Sequence, residues 1–558
     1  MLTMSKDPSP TCFYFFESGV ESKEGSTASY RAILTQLLHY FREDTNVLYL
    51  FSFCMTTSAH GQTKASGEEL TDLLVLLCRQ LSNLTIVIDG VDECKDKAKL
   101  VLVIQTISQD TCARIIVLSR PTVQELSSRI KEDMRIPVRR KNSDDIAMYL
   151  SNRLTELVQD GYFPDGFSCG DRIRDLTQRA DGMFLWARLL VAYLNSPALS
   201  CGDREAMVAE DSLLEGLVGL YEKILELILN SGEHTRRLAR HIFAWLLHSR
   251  RKLTVAELHE AYVFARRRSG NAQKDRFNDF DNVVIVTCGG LVEIEHSAAY
   301  ARPENRCLRL IHASVRDYLE LCASGQDHGH QSTKSALALT QPAAIVHLDI
   351  IKISLAYLQQ ELRNQPLLET LGTDVSKEVL DTRLPLCSYA AVNWPYHLTH
   401  CATSPAGVEA LLSQLSELMK QKFTLMAWIE TCYLNCSPPL TTEIRSWAAK
   451  LSEFVHFQIN SLPDLKHIQV DLLGFCRDLE EIEKKWGDNL RERPGCIWEE
   501  LTAFTPSSFL ARTKDVTVQP LNSAMQLGNN DDKQLFSRIS RVTVDGGYIV
   551  VLSIWPPR

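Results

Sequence analysis

Along the first quarter of the chain, apolar residues fall into short continuous runs separated by longer stretches with one apolar face. That alternation is expected of a parallel sheet covered by helices. Thr11–Phe16, Val47–Phe53, Leu84–Asp89, Arg114–Leu118 and Arg135–Val138 read as strands, with helices at Tyr30–Tyr40 and Leu70–Leu81. After Val138 the pattern changes to amphipathic helices. Asp145–Val158 sets Ile146, Tyr149, Leu150, Leu154, Leu157 and Val158 on one helical face. Arg240–Leu247 reads as a helix, and Thr254-Val255-Ala256-Glu257 has the form of a capping box that opens another. Leu291–Ile294 and Leu308–Ile311 read as a hairpin, which makes residues 236–321 a winged helix. Helices dominate from 323 to 510, and Ser537–Leu552 alternates around Asp545-Gly546 as a β-hairpin should.

A chain of 558 residues is too long for one core. The expected fold class is α/β followed by mostly α. The expected divisions are an unordered start at 1–10, an α/β core at 11–140 and a helical domain at 141–235. The winged helix at 236–321, a helical arm at 322–515 and a linker with a hairpin at 516–558 follow.

Composition narrows the functional classes. Hydrophobic residues make up 45% and charged residues 23%, the balance of a protein that packs several cores. A net charge of -9 and a pI near 6.0 argue against nucleic acid or anionic lipid as partner. A local basic patch stays open, for example Arg266 to Arg268 with Lys274 and Arg276. No stretch reaches the roughly 18 apolar residues that span a bilayer. Met1–Pro10 holds Lys6 and Asp7 with no apolar core, so it does not read as a secretory signal, and a cytoplasmic location is expected. The 16 cysteines form no CxxC pair. Cys432 and Cys436 are the closest in spacing; a zinc site there needs two more ligands, and buried reduced thiols are the plain reading.

The segment richest in chemistry is Thr85-Ile86-Val87-Ile88-Asp89-Gly90-Val91-Asp92-Glu93. A buried strand that ends in a carboxylate sets the acid at the carboxyl edge of a parallel sheet, where open α/β folds bind ligands. Asp89 is then placed like the acid that holds Mg²⁺ through water in P-loop NTPases. Asp92 or Glu93, on the next loop, could polarise an attacking water. The alternative is that both acids serve the N-terminus of the following helix.

Asp89-Gly90-Val91-Asp92-Glu93 resembles the Walker B box of NACHT-type signalling ATPases, the fungal group in particular. Ala113 to Pro121 resembles the family's sensor strand, in which the arginine at the Arg120 position faces the terminal phosphate. Gly182-Met183-Phe184-Leu185-Trp186 resembles the signature after the NACHT core. Ile311-His312-Ala313-Ser314-Val315-Arg316-Asp317-Tyr318-Leu319 resembles the family's His-x-Ser-Val-x-Asp-Tyr-Leu box, whose histidine holds the β-phosphate of ADP. A histidine packed within the wing is the equal alternative for His312. Tyr389-Ala390 to Trp394 and His397 resemble a further box, read as packing between helical layers.

The resemblance implies a STAND-class, NOD-like receptor type of protein with ATP or ADP and Mg²⁺ as cofactors. It implies Asp89 as metal ligand, Asp92 and Glu93 as catalytic acids, and Arg120 and His312 as nucleotide contacts. Other copies or signalling proteins are the implied partners, through the helical arm, with homo-oligomers among the expected assemblies. One part of the pattern is absent. A P-loop needs Gly-x4-Gly-Lys-Ser/Thr, and the chain has no Gly-Lys dipeptide; Gly19 to Gly25 with Ser26 and Thr27 is the nearest imitation. The expectation is therefore a truncated member that starts past its P-loop strand and ends within a first propeller repeat. Tight ATP binding and hydrolysis are not expected of it, and a non-catalytic scaffold that retains the architecture is the rival reading.

Overall fold

A computed structural model describes residues 10–17, 23–57, 65–81, 83–120, 123–136, 142–209, 216–267, 276–295, 306–324, 338–362, 365–372, 375–401, 405–455, 465–498, 516–520, 538–544 and 547–553. The chain divides into two compact units, one of residues 1–188 with Ser249–Lys252, the other of Leu189–His248 with residues 253–558.

The first unit is built on three parallel strands, β1 (Thr11–Phe15), β2 (Thr85–Asp89) and β3 (Arg114–Val117), in that spatial order. Between β1 and β2 run α1 (Ser26–Tyr40), α2 (Thr45–Thr57) and α3 (Gly67–Gln80). Between β2 and β3 runs α4 (Lys97–Asp110). The strands add in one direction, so right-handed crossovers place their helices on one face. Accordingly α1, α3 and α4 pack on each other and on the strands. Cys12, Tyr14, Phe16, Ile86 and Ile88 point into this layer, against Ile33, Leu37, Leu74, Leu77 and Ile104. The other sheet face carries Phe13, Phe15, Ile116 and Leu118, all exposed. On the outer edge of β1, the Phe13 N–H donates to Gln36 Oε1 at 3.0 Å and Gln36 Nε2 donates to the Phe13 carbonyl at 2.8 Å. A side-chain amide thus stands where a fourth strand would pair.

One predicted strand is helical, and the described half of another is not paired in the sheet. Val47–Phe53 lies inside α2, because the Asp44 carboxylate accepts the N–H groups of Asn46 and Val47 (2.9 and 3.3 Å) and starts a helix. Tyr49 and Phe53 then stack one turn apart, with centroids 6.4 Å apart. Arg135 and Ile136 follow a 3-10 turn, Glu132–Met134, and the Arg135 N–H closes that turn on Glu132 at 3.1 Å; Pro137 and Val138 lie outside the described residues. The unit continues with α5 (Gln124–Arg129), α6 (Ser143–Gln159) and α7 (Gly170–Ala180).

Helix α8 (Phe184–Leu194) crosses the sequence boundary between the units, and α9 (Cys201–Ala209) and α10 (Leu217–Asn230) follow it. Arg204, 3% exposed, donates to the carbonyls of Leu194, Ser196 and Leu199 at 2.5–2.6 Å, so one guanidinium closes the turn from α8 to α9. The winged helix comprises α11 (Glu233–His248), α12 (Val255–Arg267), α13 (Phe280–Thr287), β4 (Val292–Glu295), β5 (Cys307–Leu310) and α14 (Ala313–Ala323). Thr254 and Glu257 make the expected reciprocal cap, with Thr254 N–H to Glu257 Oε2 at 2.8 Å and Glu257 N–H to Thr254 Oγ1 at 3.1 Å. The wing is antiparallel, Val292 opposite Leu310.

The arm contains α15 (Ala343–Glu361), α16 (Leu367–Leu371), α17 (Lys377–Arg383), α18 (Cys387–Leu398), α19 (Pro405–Lys420), α20 (Lys422–Leu434), α21 (Thr441–Val455) and α22 (Leu465–Glu492). Its large apolar side chains, Tyr357, Trp394, Trp428 and Tyr433 among them, are buried. The tail hairpin is β7 (Arg538–Val544) and β8 (Gly547–Ser553), and β6 (Val516–Pro520) adds to β7. Three strands stand where two are expected, consistent with the marginal stability of a lone hairpin. No helix among the described residues is long and apolar enough to cross a membrane. The predicted unordered start, residues 1–9, and Arg268 and Lys274 of the basic patch lie outside the described residues.

Candidate functional site

The carboxyl ends of the three strands form one edge of the first unit. Register sets Phe15 opposite Asp89, and Phe16 N–H donates to the Asp89 carbonyl at 3.0 Å while Leu118 N–H donates to Ile88 at 2.8 Å. Asp89 thus stands on the central strand. Gly90 follows in the left-handed region, φ 73°, and starts the 3-10 turn Val91–Glu93, closed by Glu93 N–H to the Gly90 carbonyl at 2.8 Å. A Cβ on Gly90 would lie 3.2 Å from the Phe16 carbonyl oxygen. Only glycine suits both the dihedral and the approach.

Two of the predicted residues are joined. The Asp92 carboxylate accepts the Arg120 backbone N–H at 3.1 Å and pairs with its guanidinium Nε at 3.1 Å, so the charge of Arg120 is engaged by an acid of the same edge. The N-cap position of the next helix, α4, is held by Asp96. Among the described residues, the Asp89 carboxylate has no hydrogen-bond or ion-pair partner. His312 belongs to the second unit, at the N-cap of α14. Its Nδ1 accepts the Ser314 N–H at 3.1 Å, and Ser314 Oγ lies 2.7 Å from that nitrogen and 2.8 Å from the Tyr221 hydroxyl.

The same edge holds charged groups that the motifs do not point to. Glu17, two residues past β1, pairs with Lys23 at 3.0 Å and Lys252 at 2.7 Å. Burial alone would raise the Glu17 carboxyl, but hydrogen bonds and charge from Lys252 and Lys23 outweigh it and hold the group below the usual range. Asp96 is also depressed: burial pushes it up, and the Ser26 hydroxyl and N–H, the latter at 2.8 Å, more than offset this. Position next to a strand end is the only sequence signal for Glu17, and nothing in the sequence links it to Lys252.

Residues 2–120 match the family model for the nephrocystin 3 N-terminal region, and residues 225–329 that for the winged helix domain of GPI inositol-deacylase. Both families are NACHT-related. The two matches support a NACHT-like NTPase family and the winged-helix reading, with the parallel strands within the first match and α11 to α14 within the second. No curated protein and no solved structure matches the chain.

These residues fit the implied cofactors unequally. Mg²⁺ sites at nucleotides take one or two carboxylates plus phosphate oxygens, and Asp89 meets that need. No group of three or more His, Cys, Asp or Glu among the described residues could hold a metal by itself. For the phosphates the donors do not fit: the sequence has no Gly-Lys-Ser/Thr, and Arg120 is engaged by Asp92.

Proposed function

We propose that the chain is a NACHT/STAND-type signalling protein of the fungal group, a nucleotide-dependent conformational switch by descent that holds ATP weakly. The observation that carries the reading is Asp89 at the end of the central parallel strand, its carboxylate without a partner among the described residues. In this reading Asp89 serves Mg²⁺, Asp92 and Glu93 the attacking water, and Arg120 and His312 the phosphates. A cytoplasmic location and partners bound through the helical arm, other copies included, belong to the same reading.

The 558 residues lack the loop that supplies phosphate donors. If three charge-assisted hydrogen bonds are missing, each worth about 1.5–3 kcal/mol, affinity falls by about three to six decades. The Asp92–Arg120 pair favours the second reading, a scaffold that keeps the architecture, since the sensor charge is spent within the protein. Isothermal titration of the 558-residue chain with ATP and Mg²⁺ tests both. We expect no binding tighter than about millimolar and no hydrolysis that Asp89→Ala or Glu93→Ala abolishes. A micromolar constant sensitive to either substitution refutes the weak-binding reading.

A further inference from the structure

Three histidines from three helices meet inside the second unit, His248 at the end of α11, His347 on α15 and His397 on α18, and the exposed His400 stands two residues past the end of α18. His347 Nδ1 and His397 Nδ1 are 2.7 Å apart, and the Tyr389 hydroxyl is 2.9 Å from His397 Nε2. The ring of His347 is 5.4 Å from that of His248 and 5.2 Å from that of His400. His347 is 6% exposed and His397 is fully buried.

A bond between two Nδ1 atoms requires that one carry a proton and the other a lone pair. With Tyr389 donating to Nε2 of His397, the Nδ1–H of His397 donates to His347. One added proton can enter at His397 Nε2 if the Tyr389 hydroxyl turns from donor to acceptor. A second, on His347 Nδ1, would point two N–H groups at each other across 2.7 Å.

His248 is no better placed to gain charge. Its Nε2 is buried without a hydrogen-bond partner, and Arg316 on α14, which donates to the last carbonyls of α11 at Leu246 (2.8 Å) and Leu247 (2.7 Å), sets a fixed positive charge beside it. Burial first, then Arg316, lower His248 to about 4; burial first, then His248 and His400, lower His347 to about 3. Arg316 is itself paired with Glu320. Tyr396 faces His347 and His400 from α18. Asp349 and Lys352 share α15 with His347 but sit about 200° and 140° round the helix from it. Helices α12, α17, α19, α20 and α21 pack on α15 or α18. Among their charged groups, Glu260 pairs with Arg276, Asp381 with Lys377 and Ser388, Glu417 with Gln421, Glu430 with Leu367 and Trp498, and Arg445 with Glu480.

We propose that the His248–His347–His397 cluster is a proton-sensitive joint: uncharged, it holds the end of α11 against α15 and α18, and protonation parts the winged helix from the arm. A histidine whose folded pKa is depressed binds fewer protons docked than free. Docking therefore weakens as pH falls through the free value of about 6.5, and the loss is complete only below about 4 for His248 and about 3 for His347. At pH 5 each of the two disfavours the docked state by about 30-fold, together by about a thousandfold.

Hydrogen–deuterium exchange at imidazole carbons and backbone amides, read by mass spectrometry on the full chain between pH 7 and 5, tests this. His248 and His347 should titrate below pH 5. Amide exchange in α11, α15 and α18, corrected for its intrinsic pH dependence, should rise by about a hundredfold to a thousandfold while α1 and α4 stay level. His347→Asn, which keeps a polar atom near the Nδ1 position but cannot take up a proton, should remove about 30-fold of that rise. Histidines that titrate near 6.5, or exchange that rises equally in α1 and α4, would overturn the proposal. Should His347→Asn not fold, the wild-type imidazole and amide data decide by themselves.

Discussion

Replacing Gly90 with alanine tests how the acidic edge of the sheet is built. Its φ of 73° costs an L-residue about 1–2 kcal/mol. Part of this, about 0.4–1 kcal/mol, is returned because alanine restricts the unfolded chain. The added Cβ would also lie 3.2 Å from the Phe16 carbonyl, a backbone atom that cannot swing aside. We expect a net loss of about 1.5–2.5 kcal/mol, the contact adding roughly 1 kcal/mol to the dihedral cost. Gly161→Ala is the control, since Gly161 has a φ of 77° with nothing within 4 Å of its would-be Cβ. It should cost about 1 kcal/mol or less. Two compact units need not unfold in one step, so the assay is native-state amide exchange of Thr85–Asp89 and Arg114–Val117. Gly90→Ala should accelerate it by about 10- to 70-fold. If Gly90→Ala has no more effect on these amides than Gly161→Ala, the close approach of Gly90 to Phe16 does not constrain the edge.

Two further substitutions probe the frame around the site. Gln36→Leu removes both bonds to Phe13 and bares the outer edge of β1. It should cost about 1–2 kcal/mol and raise concentration-dependent light scattering, whereas unchanged scattering would mean that the edge is protected by other means. Arg204→Met leaves the carbonyls of Leu194, Ser196 and Leu199 without their donor. Native-state amide exchange in α8 and α9 should show a loss of about 3–5 kcal/mol, and a loss under 1 kcal/mol would show that water replaces the guanidinium.

Local signals were legible where one segment carries its own partner. Asp89 at the end of β2, the Thr254–Glu257 cap and the two wing strands each follow from spacing within a few residues. Val47–Phe53 reads as a strand because a short apolar run has no period that separates strand from helix. The deciding residue, Asp44, stands just outside it. Arg135 departs from its predicted strand because its N–H turns back to Glu132 instead of joining a ladder. At the site, the strand-end acid could be read, but Arg120 bound to Asp92 and Glu17 held by Lys252 are encounters between segments that no periodicity encodes. His248, His347 and His397 are equally scattered; the Tyr389-to-His397 box, which reads as packing between helical layers and is buried, holds only one of them.

The spatial order β1, β2, β3 is also the order in which a ribosome delivers them. Each strand meets the free edge of the one made before it, and none of the three must be inserted between two that are already paired. About seventy residues separate β1 from β2, an interval of roughly 4–14 s at 5–20 residues per second. During that interval the partners yet synthesised for Cys12, Tyr14 and Phe16 among the described residues of their core lie mainly on α1 to α3. Translation thus favours a nascent helical layer around a single strand, with the sheet completed afterwards.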